Sequence, residues 1–240
     1  MTDRILEVCV DTADGLAAAI AGGADRIELC AALSLGGLTP TTGLMKQAAS
    51  VPIPVYAMIR PRSGNFVFSE DDVETMRGDI DTAREIGLAG VVLGASNADD
   101  TLDASVLSDL LARSEGLGTT LHRAIDLTPD MEEAVDRAIA LGFDRILTSG
   151  GALTAEAGCQ MLRKMHNRAA GQLSIMVGSG VTTQNVQTIL EVAPLHEFHA
   201  SCSSVVTDLP SKAMQFGFAS ENSKITSSEN VAALKKLLRT

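Results

Sequence analysis

The sequence predicts a single (β/α)8 barrel, the TIM-barrel fold, and three observations predict it. Eight short strand-like runs alternate with helix-spaced runs along the chain. The stretch from Arg4 to Cys30 reads strand, helix, strand, which is the βαβ unit of a parallel sheet. The 240 residues, 45% hydrophobic and 20% charged, suit one large core better than two small domains, so residues 1–240 are expected to form one domain.

In the first strand, Arg4 to Val10, the residues Leu6, Val8 and Val10 share one face and Ile5, Glu7 and Cys9 the other. In the second, Asp25 to Cys30, Ile27 and Leu29 oppose Arg26, Glu28 and Cys30. The apolar faces take the intervening helix, which opens at Asp11 or Thr12, carries Leu16, Ala17 and Ile20, and stops at Gly22-Gly23. A carboxylate and a thiol on each strand therefore point the other way.

A Gly-rich turn from Ser34 to Pro40 leads to a helix around Leu44, Met45 and Ala48, and Pro52 and Pro54 introduce a third strand, Val55 to Arg60. Tyr56, Met58 and Arg60 share a face of that strand, which runs out into a long aromatic loop from Pro61 to Phe68. Ser69 is placed as an N-cap, followed by Glu70, Asp71 and Asp72 in the first turn and by Val73, Met76, Ile80 and Ala83 at helical spacing. Four further pairs follow: strand Ala89 to Leu93 with helix Asp103 to Arg113, and strand Gly118 to His122 with helix Pro129 to Leu141. Then come strand Asp144 to Thr148 with helix Thr154 to Met165, and strand Leu173 to Val177 with helix Thr182 to Val192. The eighth strand, Glu197 to Ser201, is separated from a last helix, Ser228 to Leu238, by a long loop at 202–227 without a clean period. Gly23-Ala24-Asp25-Arg26-Ile27 is echoed four units later by Gly142-Phe143-Asp144-Arg145-Ile146, as in a fused half-barrel.

The net charge of -11 and pI near 4.7, with no basic run to offset them, argue against nucleic acid as a partner. No apolar run reaches the length of a membrane span, and Met1-Thr2-Asp3-Arg4 lead into a strand without a signal-peptide pattern. A cytoplasmic protein without membrane contact or nucleotide cofactor is expected. Cys9, Cys30, Cys159 and Cys202 contain no close C-x-x-C pair, which points to reduced thiols rather than disulfides or structural zinc.

In such a barrel the functional face lies at the carboxyl ends of the strands. There the sequence places Glu7 and Cys9, Glu28 and Cys30, Arg60 with Arg62, His122 with Arg123 and Asp126, Thr148 with Ser149, Gly178-Ser179-Gly180 at an expected helix start, and Glu197, His199 and Ser201. One reading is a hydrolase, lyase or isomerase for a small phosphorylated or carboxylated anion. Arg60, Arg62 and Arg123 would clamp the anion, with Ser149 and the backbone of Gly178, Ser179 and Gly180 beside it. His122 or His199 would move a proton, Glu7 or Glu28 would act as base or orient a histidine, and Asp126 joins the catalytic candidates. A divalent metal held by Glu7, His122 and His199 is a variant. The plainer alternative is a salt-bridge network in which Glu7 and Glu28 neutralise Arg26 and Arg60, in a barrel serving only as a scaffold.

As an ordered set, LEVCVDT, GGADRIELC, LSLGGLTPTTG, IRPRSGNFVFS, GVVLG, LHRAID, DRILTSGG, IMVGSGV and EFHASCS resemble the CutC family over nearly the whole chain. The resemblance implies a cytoplasmic TIM barrel of a family named for a role in copper tolerance. It places copper thiols at Cys9 and Cys30, where a soft Cu(I) ion would bind, and a polar mouth at Glu7, Glu28, Arg60, Arg62, His122, Arg123, Asp126 and His199. Two positions depart from the pattern: Leu35 stands where relatives usually carry Glu, and Gly217 where a basic residue is usual. Finally, four of the six Phe, namely Phe66, Phe68, Phe216 and Phe218, fall on two loops, so these rings are expected to cover the mouth or to bury against a second copy in a homo-oligomer.

Overall fold

The computed structural model describes residues 4–207, 210–220 and 222–239. Eight parallel strands, β1 (Ile5–Val10), β2 (Arg26–Leu29), β3 (Val55–Met58), β4 (Gly90–Leu93), β5 (Gly118–Leu121), β6 (Arg145–Thr148), β7 (Ser174–Val177) and β8 (Glu197–Ala200), pair in sequence order, and β8 closes on β1. The helices α1 (Ala13–Ala21), α2 (Thr42–Ala48), α3 (Glu70–Ile86), α4 (Ala104–Arg113), α5 (Met131–Leu141), α6 (Cys159–Ala169) and α7 (Val186–Val192) follow the strands in turn. This is the predicted (β/α)8 barrel. No helix among the described residues is long and apolar enough to cross a membrane.

Alternation along the strands sorts the side chains as expected. Leu6, Val8, Val10, Ile27 and Leu29 are fully buried against the helical layer, in one apolar cluster that runs round the barrel. The bore holds a much smaller apolar cluster of Cys30, Tyr56, Met58 and Val92, so polar groups fill most of it. Helix starts follow the capping residues read from the sequence: Thr12, Asp103 and Asp130 each accept from backbone N–H groups of the first turn, and Ser69 and Asp72 form a reciprocal capping box.

The Asp-Arg echo has structural content. Asp25 Oδ2 accepts the N–H of Leu6 on β1, and Asp144 Oδ2 accepts that of Thr119 on β5, both at 2.7 Å. Arg26 and Arg145 then project from equivalent positions into the bore, where they lie over the Tyr56 ring at 5.4 and 4.9 Å and converge on Glu197. Room for that ring comes from Gly90 and Gly118, where a Cβ would stand 2.2 Å from Tyr56 atoms.

Three stretches differ from the expectation. α6 begins at Cys159 rather than at Thr154, because residues 154–158 turn across the loop after β6: a Cβ on Gly158 would lie 1.8 Å from Ser149 O. α7 begins at Val186, so Gly178-Ser179-Gly180 is not a helix start. The supposed loop at 202–227 contains an antiparallel pair, β9 (Ser203–Val205) with β10 (Lys224–Thr226), and a short helix α8 (Ser211–Gln215) before the final helix α9 (Ser228–Leu238). Three-residue strands with exposed side chains are too short to leave a period in the sequence. Residues 208, 209 and 221 of that stretch, and 1–3 and 240 at the ends of the predicted domain, lie outside the described residues.

Candidate functional site

A cavity of about 780 Å³ opens at the carboxyl ends of the strands, and its lining includes Cys9, Glu28, Arg60, Phe66, His122, Arg123, Ser179, Gly180 and His199. That volume is in the range of small-molecule sites.

On one wall, strand register assembles a compact group. Glu7 on β1 pairs in register with His199 on β8, and Cys9 pairs with Glu28 on β2. His199 Nδ1 lies 2.8 Å from Glu7 Oε1 and its Nε2 3.7 Å from Glu28 Oε2. Donor atoms of Cys9, Glu28 and His199 all fall within 4.8 Å of one another, and all three residues are buried. Burial pushes the Glu7 carboxyl up, but Arg26 and then His199 more than offset this and hold it at about 2. Burial works against the His199 cation, yet Glu28 and Cys9, with the Glu7 bond, lift it well above the ordinary imidazole value. Glu28 is raised by burial and by the Glu7 charge, and its Oε1 is buried with no partner. The expected pairing of Glu7 with Arg26 is present. The pairing of Glu28 with Arg60 is not: Glu28 faces His199, and Arg60 lies across the mouth among backbone carbonyls.

Cys30 is not part of this group. Register puts Glu28 beside Cys9, and Cys30 falls two residues further on, fully buried with Tyr56, Met58 and Val92 and pressed by Gly37, whose Cβ would sit 3.1 Å from Sγ. Its thiol donates to Glu28 Oε2 at 3.5 Å, and burial pushes its pKa well up.

The opposite wall is built by Arg60 and His122. Arg60 donates through Nη1 to Leu35 O (2.9 Å) and Gly37 O (3.1 Å), and through Nη2 to Gly64 O (2.8 Å). The Leu35 departure leaves this contact in place, since the backbone carbonyl supplies it, and the residue lines the cavity, 54% exposed. His122 Nδ1 accepts the Ala124 N–H at 3.2 Å, its ring lies 4.7 Å from Phe66, and burial with the Arg60 charge depresses its pKa to about 3. It does not approach Glu7 or His199, so the divalent set of Glu7, His122 and His199 does not form. Gly94 was missed in the sequence and is required here, because a Cβ would stand 2.5 Å from the His122 ring.

The other expected site residues lie in the surrounding loops. Asp126 accepts from Thr148 Oγ1, the N–H groups of Ser149 and Gly151, and Arg123 Nε at 2.7 Å, so its lone pairs are consumed in latching the loop after β6. Ser149 is part of that latch, donating to Ala152 O at 2.6 Å and receiving Arg123 Nη2 at 2.9 Å. Arg62 pairs with Asp72 at 2.9 Å outside the cavity and covers the Phe68 ring at 5.2 Å, so the three-arginine clamp is not assembled. Gly178 is a glycine because Leu147 Cδ1 would lie 2.5 Å from its Cβ, while Ser179 and Gly180 line the cavity from a loop. Around Gly217, with φ +76°, nothing lies within 4 Å of a Cβ. Phe66 lines the cavity and Phe68 packs against the core, whereas Phe216 and Phe218 stack on each other at 6.5 Å, 71% and 87% exposed.

The chain is 52% identical over 238 residues to a family protein CutC of Sinorhizobium medicae (strain WSM419), covering 99% of this chain and 97% of that one. It is 51% identical over 237 residues to a family protein CutC of Caulobacter vibrioides (strain NA1000 / CB15N), covering 98% and 97%. The solved structure of a Streptococcus agalactiae protein named CutC, for copper homeostasis, superposes with a TM-score of 0.79 at 32% identity, over 82% of this chain and 98% of that one. A thiamine phosphate pyrophosphorylase of Pyrococcus furiosus, with a TM-score of 0.61 at 13% identity over 98% and 96% of the two chains, shares the fold alone. The CutC family model matches residues 4–204, which span the whole barrel from β1 to β8, and with these relatives it shows that the chain belongs to the CutC family.

Proposed function

We propose that the protein binds Cu(I) as cargo at Cys9, His199 and Glu28. The observation that carries this reading is the convergence of a thiol, an imidazole and a carboxylate within 4.8 Å at the edge of an open cavity. Sulfur and imidazole nitrogen are the donors a soft cuprous ion prefers. Glu7 fits the role of an outer carboxylate, holding Nδ1 so that Nε2 is presented to Cys9 and Glu28. Relative to the pair Cys9 and Cys30, the metal set here keeps one thiol and exchanges the other for His199. An anaerobic competition titration against a chromophoric Cu(I) chelator tests it. Cys9→Ser and His199→Gln should each weaken binding by at least about tenfold, and Cys30→Ser should leave it in place. Unchanged affinity in the first two variants would sink the site.

A second reading is favoured by the size of the cavity, which far exceeds a bare ion. Cys9, His199 and Glu7 stand in series, as thiol, base and orienting carboxylate do in enzymes that use a sulfur nucleophile on a small anionic substrate. Alkylation of Cys9 by iodoacetamide, followed by mass spectrometry, should slow in His199→Gln; equal rates would count against it.

A further inference from the structure

Arg60 is a buried cation, 6% exposed, yet its side-chain hydrogen bonds go only to backbone carbonyls, and no carboxylate lies within ion-pair distance of it among the described residues. Carbonyl dipoles do not cancel a full charge, and a buried charge without a counter-ion is costly. Its Nε is buried with no partner.

His122 shares this wall. The Phe66 ring contacts both residues, 4.9 Å from the Arg60 guanidinium and 4.7 Å from the imidazole. Because Nδ1 accepts the Ala124 N–H, the ring proton sits on Nε2. That Nε2 is buried without a partner, and the Nδ1 and Cε1 edge lies on Gly94, which turns Nε2 away from β4. Burial and Arg60 keep the imidazole neutral, so it stays a donor without becoming a second cation. A guanidinium without a counter-ion and a neutral N–H donor without an acceptor thus belong to residues that line one side of the cavity in a chain of net charge -11.

We propose that Arg60 and His122 Nε2 receive the carboxylate of a small organic acid, with the Phe66 ring as its apolar cover. One buried positive charge and two donors suit a planar monoanion better than a phosphate dianion, since the guanidinium of nearby Arg123 is committed to Asp126 and Ser149. The site is distinct from the Cys9, His199 and Glu28 group and supplies a ligand class for the second reading above. Its binding test involves neither metal nor thiol chemistry, so its failure is separable from failure of that reading.

Calorimetric titration and thermal shift on protein freed of metal by a chelating resin, with propionate, pyruvate and succinate set against inorganic phosphate and chloride at matched ionic strength, decide it. At least one carboxylate should bind the wild type saturably and raise its melting temperature, while phosphate and chloride should not. Affinity should fall by about tenfold or more in His122→Asn and in Arg60→Met, with Arg60→Lys between. If Arg60→Met does not fold, Arg60→Lys and His122→Asn carry the comparison. Absence of saturable carboxylate binding, binding of phosphate alone, or undiminished affinity in the folded variants would overturn the assignment.

Discussion

His199 is held by Glu7: the 2.8 Å contact from Nδ1 to Oε1 spends one nitrogen on a carboxylate and leaves the other facing Cys9 and Glu28. Glu7→Gln should keep the fold but loosen this orientation, lowering Cu(I) affinity by about 10- to 100-fold in the same chelator competition. An effect as small as that of a surface control such as Arg77→Ala would show that Glu7 does not support the metal site.

Arg26 carries two buried carboxylates, Glu7 and Glu197. Arg26→Met removes the cation that both share, and the expected loss is about 3–5 kcal/mol, measured by urea unfolding. Arg145 also approaches Glu197, at 3.2 Å, so Arg145→Met should cost less than Arg26→Met. The reverse order would contradict the assignment of Arg26 as the principal counter-ion.

The His122 imidazole gives a pH signature. Its pKa falls from 6.5 to about 3 in the fold through burial and Arg60, so the unfolded chain binds a proton there that the folded chain refuses. This contribution to stability is complete above about 6.5 and is lost progressively as the pH drops toward about 3. The urea-unfolding free energy of His122→Asn should therefore depend less steeply on pH than that of wild type across this window. Parallel curves would refute the shift.

Gly90→Ala and Gly118→Ala each drive a methyl into the Tyr56 ring, with an expected cost of about 1–3 kcal/mol from overpacking. Tyr56→Leu should relieve part of it in a double-mutant cycle, and additive losses would place the clash elsewhere.

Phe216 and Phe218 form an exposed stacked pair on the stretch after β8. If this pair serves self-association, light scattering should give a mass above 25.0 kDa for wild type and a monomer for Phe216→Ser with Phe218→Ser. A monomeric wild type would dispose of the interface.

Much of the barrel was legible because period-2 alternation and helix caps are local signals. Glu7, Glu28 and Arg60 could be read as inward-facing from their own strands alone. Which inward residues meet is a matter of register between strands, and a single strand does not encode it. Cys9 and Cys30 share a face, yet pairing sets Glu28 beside Cys9. Arg62 and Asp126 looked like site residues because of their chain neighbours, whereas Asp72 and the loop after β6 claim them in space. Gly94 had no local signature, since its reason for being glycine lies on the next strand.

The stack of Arg26, Tyr56 and Arg145 makes the barrel a cup rather than a pipe. Two guanidinium groups and a phenol ring occupy the bore toward its amino-terminal end, each residue almost wholly buried or bound to Glu197. A guest that reaches His199 or Arg60 must leave by the opening through which it came. Residence time is then governed by whatever borders that opening, the Phe66 loop on one side and the segment carrying Ser203 and Lys224 on the other. Substitutions along this rim should change how fast ligands exchange more than how tightly they are held.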